Sequence, residues 1–416
     1  TRFRGGIGGE MAPVRIAIVG MGGFARTYLR DIEQVGGVGR HVAQVAIEAD
    51  QRNFPTEVQA LADKGVRVFA SLREMLAACR NEIDLLCIPT GIPLHRVMTV
   101  AGLEADCHVL VEKPAAGSIQ DVDAMLAAQV RSGRICAVGY QHVGQQNYQF
   151  VKDWICAGNL GRVRSIKGFG CWPRDPEYYG RNGWAGNLAA GDTWVLDSPH
   201  NNALAHAVNS MFFLGCQQIG QMLEPTAVQA ELYRVNAIQS ADTAVFRVET
   251  AAAVDVFFAV THCSEERVDP RFEIQGDLGR IEMTYEGEAE VIWSDGRRED
   301  LIGGKGERGV FEDTIRAIAN ASDQPAASLA MARAQTLCAC ATFESSAIHE
   351  IPVGLRRVEA ASGRIEVTGM TELIQRAYVS SQLFSELDVD WAVPGQRISL
   401  EGYGYFPSFR PDIAGG

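Results

Sequence analysis

Read from its N-terminus, the chain alternates short apolar runs with stretches of helical spacing. Residues 14–19 form an unbroken apolar run, and 24–35 repeat apolar positions at helical intervals. The alternation continues, strand-like at 42–48, 66–69, 84–88, 108–111 and 135–139, helical at 56–64, 71–79, 94–103 and 119–131. Strands separated by helices predict parallel pairing, because a parallel partner is reached only through a crossover. Runs that are apolar at nearly every position predict a sheet covered on both faces. The predicted unit is a doubly wound α/β Rossmann domain over residues 13–142.

The rhythm changes beyond residue 145. Helical spacing at 147–157 ends at Gly158, and 162–170 reads as a strand. The aromatic, Gly-rich stretch 171–191 is irregular, and 198–214 reads as one long helix ending at Gly215. Strand-like segments then follow without intervening helices, at 227–235, 244–250, 253–261, 272–275, 279–285 and 288–293. Such a succession predicts a large, mostly antiparallel, open-faced sheet, so residues 143–350 read as an α+β domain. Helices are predicted at 310–319 and 329–348. Residues 351–416 carry one helix at 371–387 and an aromatic tail, Tyr403, Tyr405, Phe406 and Phe409, expected to pack on the two domains. Residues 1–12 read as a disordered leader or a cloning scar.

Composition narrows the class of partner. Hydrophobic residues make up 47% and charged residues 21%, which is globular usage. A net charge of −13 argues against nucleic acid, whose binding needs clustered Lys and Arg. It leaves room for a small anionic cofactor held by backbone N–H groups. No apolar run approaches the roughly 20 residues that span a bilayer. Residues 1–10 lack a hydrophobic signal core, so a cytoplasmic chain with no membrane partner is expected. The ten cysteines are scattered with no Cys-x-x-Cys pair, and read as buried reduced thiols rather than metal ligands.

Gly20-Met21-Gly22-Gly23-Phe24-Ala25 follows the first strand and opens a helix. Gly20 permits a tight turn, Gly22 lets the backbone approach a diphosphate, and Ala25 allows close helix–strand packing. The second strand ends in Ile47-Glu48-Ala49-Asp50. A carboxylate there can accept from the adenine ribose hydroxyls, with Glu48 preferred and Asp50 second. Either would repel a 2′-phosphate, which favours NAD over NADP, although Arg52 nearby could receive such a phosphate.

The fifth strand ends in Glu112-Lys113-Pro114, and Pro89-Thr90-Gly91-Ile92-Pro93-Leu94-His95 lies upstream. With the glycine loop, these motifs resemble the glucose–fructose oxidoreductase / inositol dehydrogenase / rhizopine-catabolism (Gfo/Idh/MocA) family over residues 14–350. The resemblance implies NAD(P) between a Rossmann domain and an open-faced sheet domain, a sugar or cyclitol substrate, and a cis Lys113–Pro114 bond. It also implies cofactor contacts from Pro89, Thr90, His95, Glu112 and Lys113, and a homodimer or homotetramer built on the open sheet. Physically, a lysine at the carboxyl end of a parallel strand can hold a substrate oxygen and stabilise developing negative charge. Read blandly, Lys113 is a surface lysine and Glu112 only anchors the turn.

A second constellation is Asp197-Ser198-Pro199-His200-Asn201-Asn202. Ser198 reads as an N-cap and Pro199 as the first helical residue, which places Asp197 at the helix mouth. On a regular helix His200 and Asn201 would share its face. The resembled family has Asp-x-x-x-His here, and this chain has Asn201 in place of that His. An amide does not titrate near neutrality, so it cannot be a general base. His200 could take the role, His206 could reach in, or Lys113 could itself exchange the proton. The favoured assignment is Lys113 and Asp197 as catalytic residues, Asn201 as a substrate ligand and His200 as the proton carrier. His206 reads as facing another wall or the core. His142, Trp184 and Arg174 are further substrate candidates, with Gln141 beside His142, and Arg174 or Arg181 could pair with an anionic group.

The leading expectation is an NAD(P)-dependent oxidoreductase moving hydride to or from a sugar, glycoside or cyclitol. One rival is a glycosidase or lyase that retains its NAD and acts by transient oxidation and elimination. Another is a sensor that binds NAD and ligand without chemistry.

Overall fold

A computed structural model describes residues 12–303, 309–320 and 324–415; the expected leader lies outside the described residues except for Ala12. The first half begins with β1 (Val14–Val19), α1 (Ala25–Val35), β2 (Gly39–Val45), α2 (Glu48–Asn53), α3 (Pro55–Asp63), β3 (Arg67–Phe69) and α4 (Leu72–Ala78). It continues with β4 (Leu85–Ile88), α5 (Ile92–Glu104), β5 (His108–Val111), α6 (Ile119–Ser132) and β6 (Cys136–Val138). These six strands pair in parallel in the order β3-β2-β1-β4-β5-β6. Ile16, Ile18, Leu85, Leu86, Val109 and Leu110 are wholly buried, as strands covered on both faces require. Strand order reverses between β1 and β4, so a crevice opens at their carboxyl ends.

Short helices α7 (Gln141–Gly144) and α8 (Gln146–Cys156) carry the chain to β7 (Val163–Cys171). A loop holding α9 (Pro176–Gly180) and the hairpin β8 (Ala189–Ala190) and β9 (Thr193–Trp194) leads to a wide turn, Pro199–Ala203, and α10 (Ala205–Gly215). Then follow β10 (Pro225–Arg234), β11 (Thr243–Thr250), β12 (Asp255–Thr261), β13 (Val268–Gly276), β14 (Gly279–Thr284), β15 (Ala289–Trp293) and β16 (Arg298–Asp300). After α11 (Val310–Ala319) and α12 (Leu329–Ser345) come β17 (Ile348–Glu350), β18 (Arg356–Val358), β19 (Ile365–Val367), α13 (Met370–Ser380) and β20 (Ile398–Ser399). The second sheet runs β16-β15-β14-β13-β7-β12-β11-β10-β17, with β20 also on β10. It is antiparallel except where β7 meets β12 and β10 meets β17.

Helix α10 is apolar all round and buried along nearly its whole length between this sheet and α12. Helix α12 packs on both β10 and α6, so the two sheets share one core. Val138 N–H donates to Ala327 O at 2.8 Å, and Arg333 grips Asp123 at 2.6 Å. That junction fixes the crevice of the first half against the second.

Two expected helices are shorter than their hydrophobic spacing suggests. The helix predicted over 198–214 is broken at Leu204 into the wide turn and α10. The helix predicted over 371–387 stops at Ser380, where Ser381 turns left-handed at φ 56°, and Phe384 starts a separate turn. Beyond α13 the chain folds over the outer face of the second sheet. Phe384 stacks on Tyr233 at 5.7 Å, Trp391 meets the same ring edge-on at 5.0 Å, and Arg247 pairs with Glu386 at 2.6 Å. The face to which the resemblance assigns subunit contacts is thus lined, across β7, β10, β11 and β12, by the chain's own C-terminal segment. Phe384→Ala is expected to cost about 3–5 kcal/mol through the cavity it leaves. Denaturant unfolding and limited proteolysis check this; unchanged stability would show that the segment is no part of the core.

Candidate active site

The crevice is floored by the end of β5. Glu112 turns inward, where the Tyr28 hydroxyl donates to its carboxylate at 2.6 Å and Gln141 at 3.2 Å. Burial raises the Glu112 carboxyl above its ordinary range, and the Tyr28 hydroxyl and the Lys113 charge offset part of that rise. Gly139 lies against it so closely that a Cβ there would sit 2.4 Å from Oε1. The Lys113–Pro114 bond is cis. His95 is fully buried, with Nδ1 2.8 Å from Pro114 O and Nε2 3.0 Å from Thr90 O. The side chains of Glu112 and His95, which the resemblance assigns to the cofactor, are held by the protein's own groups.

Lys113 points the other way, into the junction. Its Nζ donates to Asn202 O at 2.9 Å and to Asn202 Oδ1 at 3.1 Å. Asn202 Nδ2 in turn donates to Asp197 Oδ1 at 2.7 Å. The other carboxylate oxygen accepts from Gly186 N–H at 2.6 Å and from Arg181 Nη2 at 3.2 Å. Burial lowers the Lys113 ammonium below its ordinary value, Arg181 and Arg174 push the same way, and Glu112 and Asp197 act against them.

The wide turn decides which side chains meet. Leu204 N–H reaches back five residues to Pro199 O at 2.7 Å, a π-type bond that inserts an extra residue into the turn. The face of Asp197 thereby receives Asn202 in place of Asn201. Asn201 is buried, donating to Val195 O and Leu196 O and accepting from Gln335 of α12 at 3.1 Å. His200 is 1% exposed, between the Phe246 and Phe343 rings, with Nε2 2.8 Å from Thr342 Oγ1. The Thr342 hydroxyl already donates to Ala339 O, so His200 must donate from Nε2 and is neutral there. Burial holds its pKa at about 3. Both assignments are corrected: Asn201 and His200 hold the turn and do not face the crevice.

The extra residue also rotates His206 inward, against the expectation that it faces away. Its ring lies 4.9 Å from His142 and 5.7 Å from Tyr140, and the Lys113 charge helps lower its pKa. His142 packs 4.2 Å from Tyr285 and is pushed down to about 4 by burial. Nδ1 of each is buried without a hydrogen-bond partner among the described residues. The loop before Asp197 closes the far wall. Arg181 lies 3.8 Å over Tyr178 and 5.4 Å from Trp184, and Trp184 abuts Gly91 of the first half so tightly that a Cβ would sit 2.8 Å from Nε1. Arg174 stands over the same Tyr178 ring at 4.5 Å.

The glycine loop is open at two of its turns. Gly20 and Gly23 adopt φ of 87° and 54°, and a Cβ on either would meet nothing within 4 Å among the described residues. Gln44 holds the turn by donating to Gly20 O. Phe24 precedes α1 with Ala25 buried behind it, and the positive end of the helix dipole faces the glycine loop, as an anion site requires. Pro89 and Thr90 follow β4, and the buried Thr90 Oγ1 has no hydrogen-bond partner among the described residues. These residues fit the group that the glycine motif implies. β2 ends at Val45, earlier than its apolar run suggests, because Asp50 accepts the Ile47 N–H and starts α2. Glu48 and Asp50 accordingly sit in the first turn of α2, with Glu48 paired to Arg52 at 2.6 Å.

Residues 14–140 match the family model described as "Oxidoreductase family, NAD-binding Rossmann fold", and 148–282 match "GFO/IDH/MocA C-terminal domain", together more than half of the chain. An inositol 2-dehydrogenase of Rhodococcus erythropolis is 27% identical over 270 residues, covering 64% of this chain and 70% of that protein. A 4-carboxy-2-hydroxymuconate-6-semialdehyde dehydrogenase of Sphingobium sp. is 30% identical over 148 residues; this chain spans only 44% of its length. The WlbA dehydrogenase of Bordetella pertussis, solved with NADH and UDP-GlcNAcA, superposes with a TM-score of 0.64 at 21% identity, over 80% of this chain and 95% of that one. That likeness shows the shared fold.

Buried neutral histidines make the fold acid-sensitive. The folded pKa of His200 lies below its unfolded value, so the unfolded chain binds more protons and stability falls as pH drops below about 6.5. His200→Leu is expected to flatten that slope by up to about 1.4 kcal/mol per pH unit between about pH 6 and 5. Denaturant unfolding at stepped pH measures it. An unchanged slope would put His200 back in contact with solvent.

Proposed function

We propose, since this chain belongs to the Gfo/Idh/MocA oxidoreductase family, that it moves hydride to or from a CH–OH carbon of a sugar, glycoside or cyclitol. The observation that carries this reading is the Lys113–Asn202–Asp197 chain of hydrogen bonds at the mouth of the NAD-binding crevice. NAD bound on the glycine loop supplies the hydride acceptor or donor. Gly20, Gly22, Gly23, Phe24 and Ala25 would hold its diphosphate, with Pro89 and Thr90 beside it. Glu48 is assigned to the adenine ribose, and the engagement of Arg52 with Glu48 favours NAD over NADP.

Lys113 does the proton work. Its ammonium can donate to the reacting oxygen, and in the oxidation direction its neutral amine can take the hydroxyl proton. A lysine at its ordinary pKa of about 10.4 would be a poor base at neutrality, and burial moves it toward use. Asp197 is held by three donors, so it can accept from a neighbouring substrate hydroxyl without swinging away. His142 and His206 stay neutral through burial and act as uncharged hydrogen-bond partners. Trp184, which bridges to Gly91, excludes water from that wall.

NADH formation tests this on a panel of inositols, aldoses and glycosides. Lys113→Met is expected to lower kcat/KM by about 10²–10⁴, the worth of a positioned acid–base group, while NAD affinity stays within about threefold. Log kcat/KM for oxidation is expected to rise with pH and level off below the ordinary lysine value, and that limb should vanish in Lys113→Met. Turnover that survives Lys113→Met would defeat the assignment. NAD binding without turnover on any member of the panel would favour the sensor.

A further inference from the structure

The cations at the crevice are not equally satisfied. Arg181 is paired with Asp197 at 3.2 Å and also donates to Tyr178 O at 2.6 Å. Lys113 has two Asn202 oxygens and Glu112 behind it. Arg174 has neither. Among the described residues its guanidinium meets only ring faces, Tyr178 at 4.5 Å and Trp172 at 5.5 Å, and its Nε is buried with no hydrogen-bond partner.

The carboxylates around it are committed elsewhere. Asp175 caps the Tyr178 N–H at 2.9 Å, and Asp269 accepts from Trp172 Nε1 at 2.6 Å and from Arg267 at 2.9 Å. His262 contributes no charge, because burial and the nearby Arg174 hold it at about 3. Three cations, Lys113, Arg174 and Arg181, thus face two carboxylates, Glu112 and Asp197, in a chain whose net charge is −13. A guanidinium fixed between aromatic planes, with its fork unfilled, is built to receive an anion.

We propose that the substrate is a sugar acid, whose carboxylate is received by Arg174 while a hydroxyl of the same molecule lies at Lys113. The proposal rests on the dehydrogenase reading above and narrows it to one substrate class. A carboxylate fits better than a phosphate. One planar fork can meet two carboxylate oxygens in parallel, and the cation that shares the Tyr178 ring, Arg181, is already spent on Asp197 and Tyr178 O, where a phosphate calls for a second free cation.

Binding can be read without turnover, through quenching of the intrinsic fluorescence to which Trp172 and Trp184 in this wall contribute. The NAD-loaded protein is titrated with D-glucuronate, D-galacturonate, their neutral parents D-glucose and D-galactose, and D-glucose 6-phosphate. The wild type is expected to bind uronates at least about tenfold more tightly than the neutral sugars, as a charge-assisted fork predicts. Arg174→Met should bring that ratio close to one, and Arg174→Lys should restore part of it, which a collapsed loop would not. Equal affinity for acid and neutral sugar in the wild type would overturn the proposal. So would a ratio unmoved in Arg174→Met, or a 6-phosphate that outbinds both uronates. An Arg174→Met variant that loses NAD affinity instead would assign the guanidinium to the cofactor and also overturn it. Absence of NADH formation with every sugar would sink the dehydrogenase reading alone, because the binding ratio is measured independently.

Discussion

The site depends on one contact between the two halves: the Lys113 ammonium held by the backbone and side-chain carbonyls of Asn202. Lys113 belongs to the first sheet by its place after β5, and Asn202 to the second half by its place in the wide turn. Burial lowers the pKa of this lysine below its ordinary value, with Arg181 and Arg174 adding to the shift and the Glu112 and Asp197 carboxylates opposing it. The same contact carries the position of Asp197 through the Asn202 amide, so the two side chains proposed to meet the substrate are tied to each other.

That contact is made possible by an irregular helix start. A regular α-helix from Pro199 would present Asn201 to Asp197, whereas the π-type bond from Leu204 to Pro199 presents Asn202. The turn is clamped from behind, where Tyr140 donates to Gln335 at 2.9 Å and Gln335 donates to Asn201 Oδ1 at 3.1 Å. His200 fills the space between that clamp and the second sheet. Burial holds the pKa of His200, His142, His206 and His262 down, so the lysine, arginine and carboxylate groups of the crevice set the local field.

What depends on local chemistry was legible in the sequence. The apolar runs gave the parallel sheet, Gly20 marked a tight turn that takes a positive φ, and Glu112-Lys113-Pro114 marked the strand end. What depends on one inserted residue was not. Periodic reasoning assumes 3.6 residues per turn, so it sent His206 away from the cleft and brought His200 and Asn201 in. The adjacent Asn201 and Asn202, weak helix formers at the start of an apolar helix, were the only local hint of irregularity. The inward turn of Glu112 and the burial of His95 follow from Tyr28, Gln141 and Pro114, which lie far away or across a turn in the chain. Likewise the C-terminal cover on the second sheet rests on long-range partners such as Tyr233 with Phe384, which spacing along the chain does not reveal.

The most direct test of the junction is a double-mutant cycle on kcat/KM for NADH formation, combining Lys113→Met with Asn202→Ala. If Asn202 acts mainly by holding Lys113 in place, its removal should cost markedly less once Lys113 is gone, leaving a coupling of about 1–3 kcal/mol. Losses that simply add would show that the two residues serve the reaction independently, and the account of the site would be wrong.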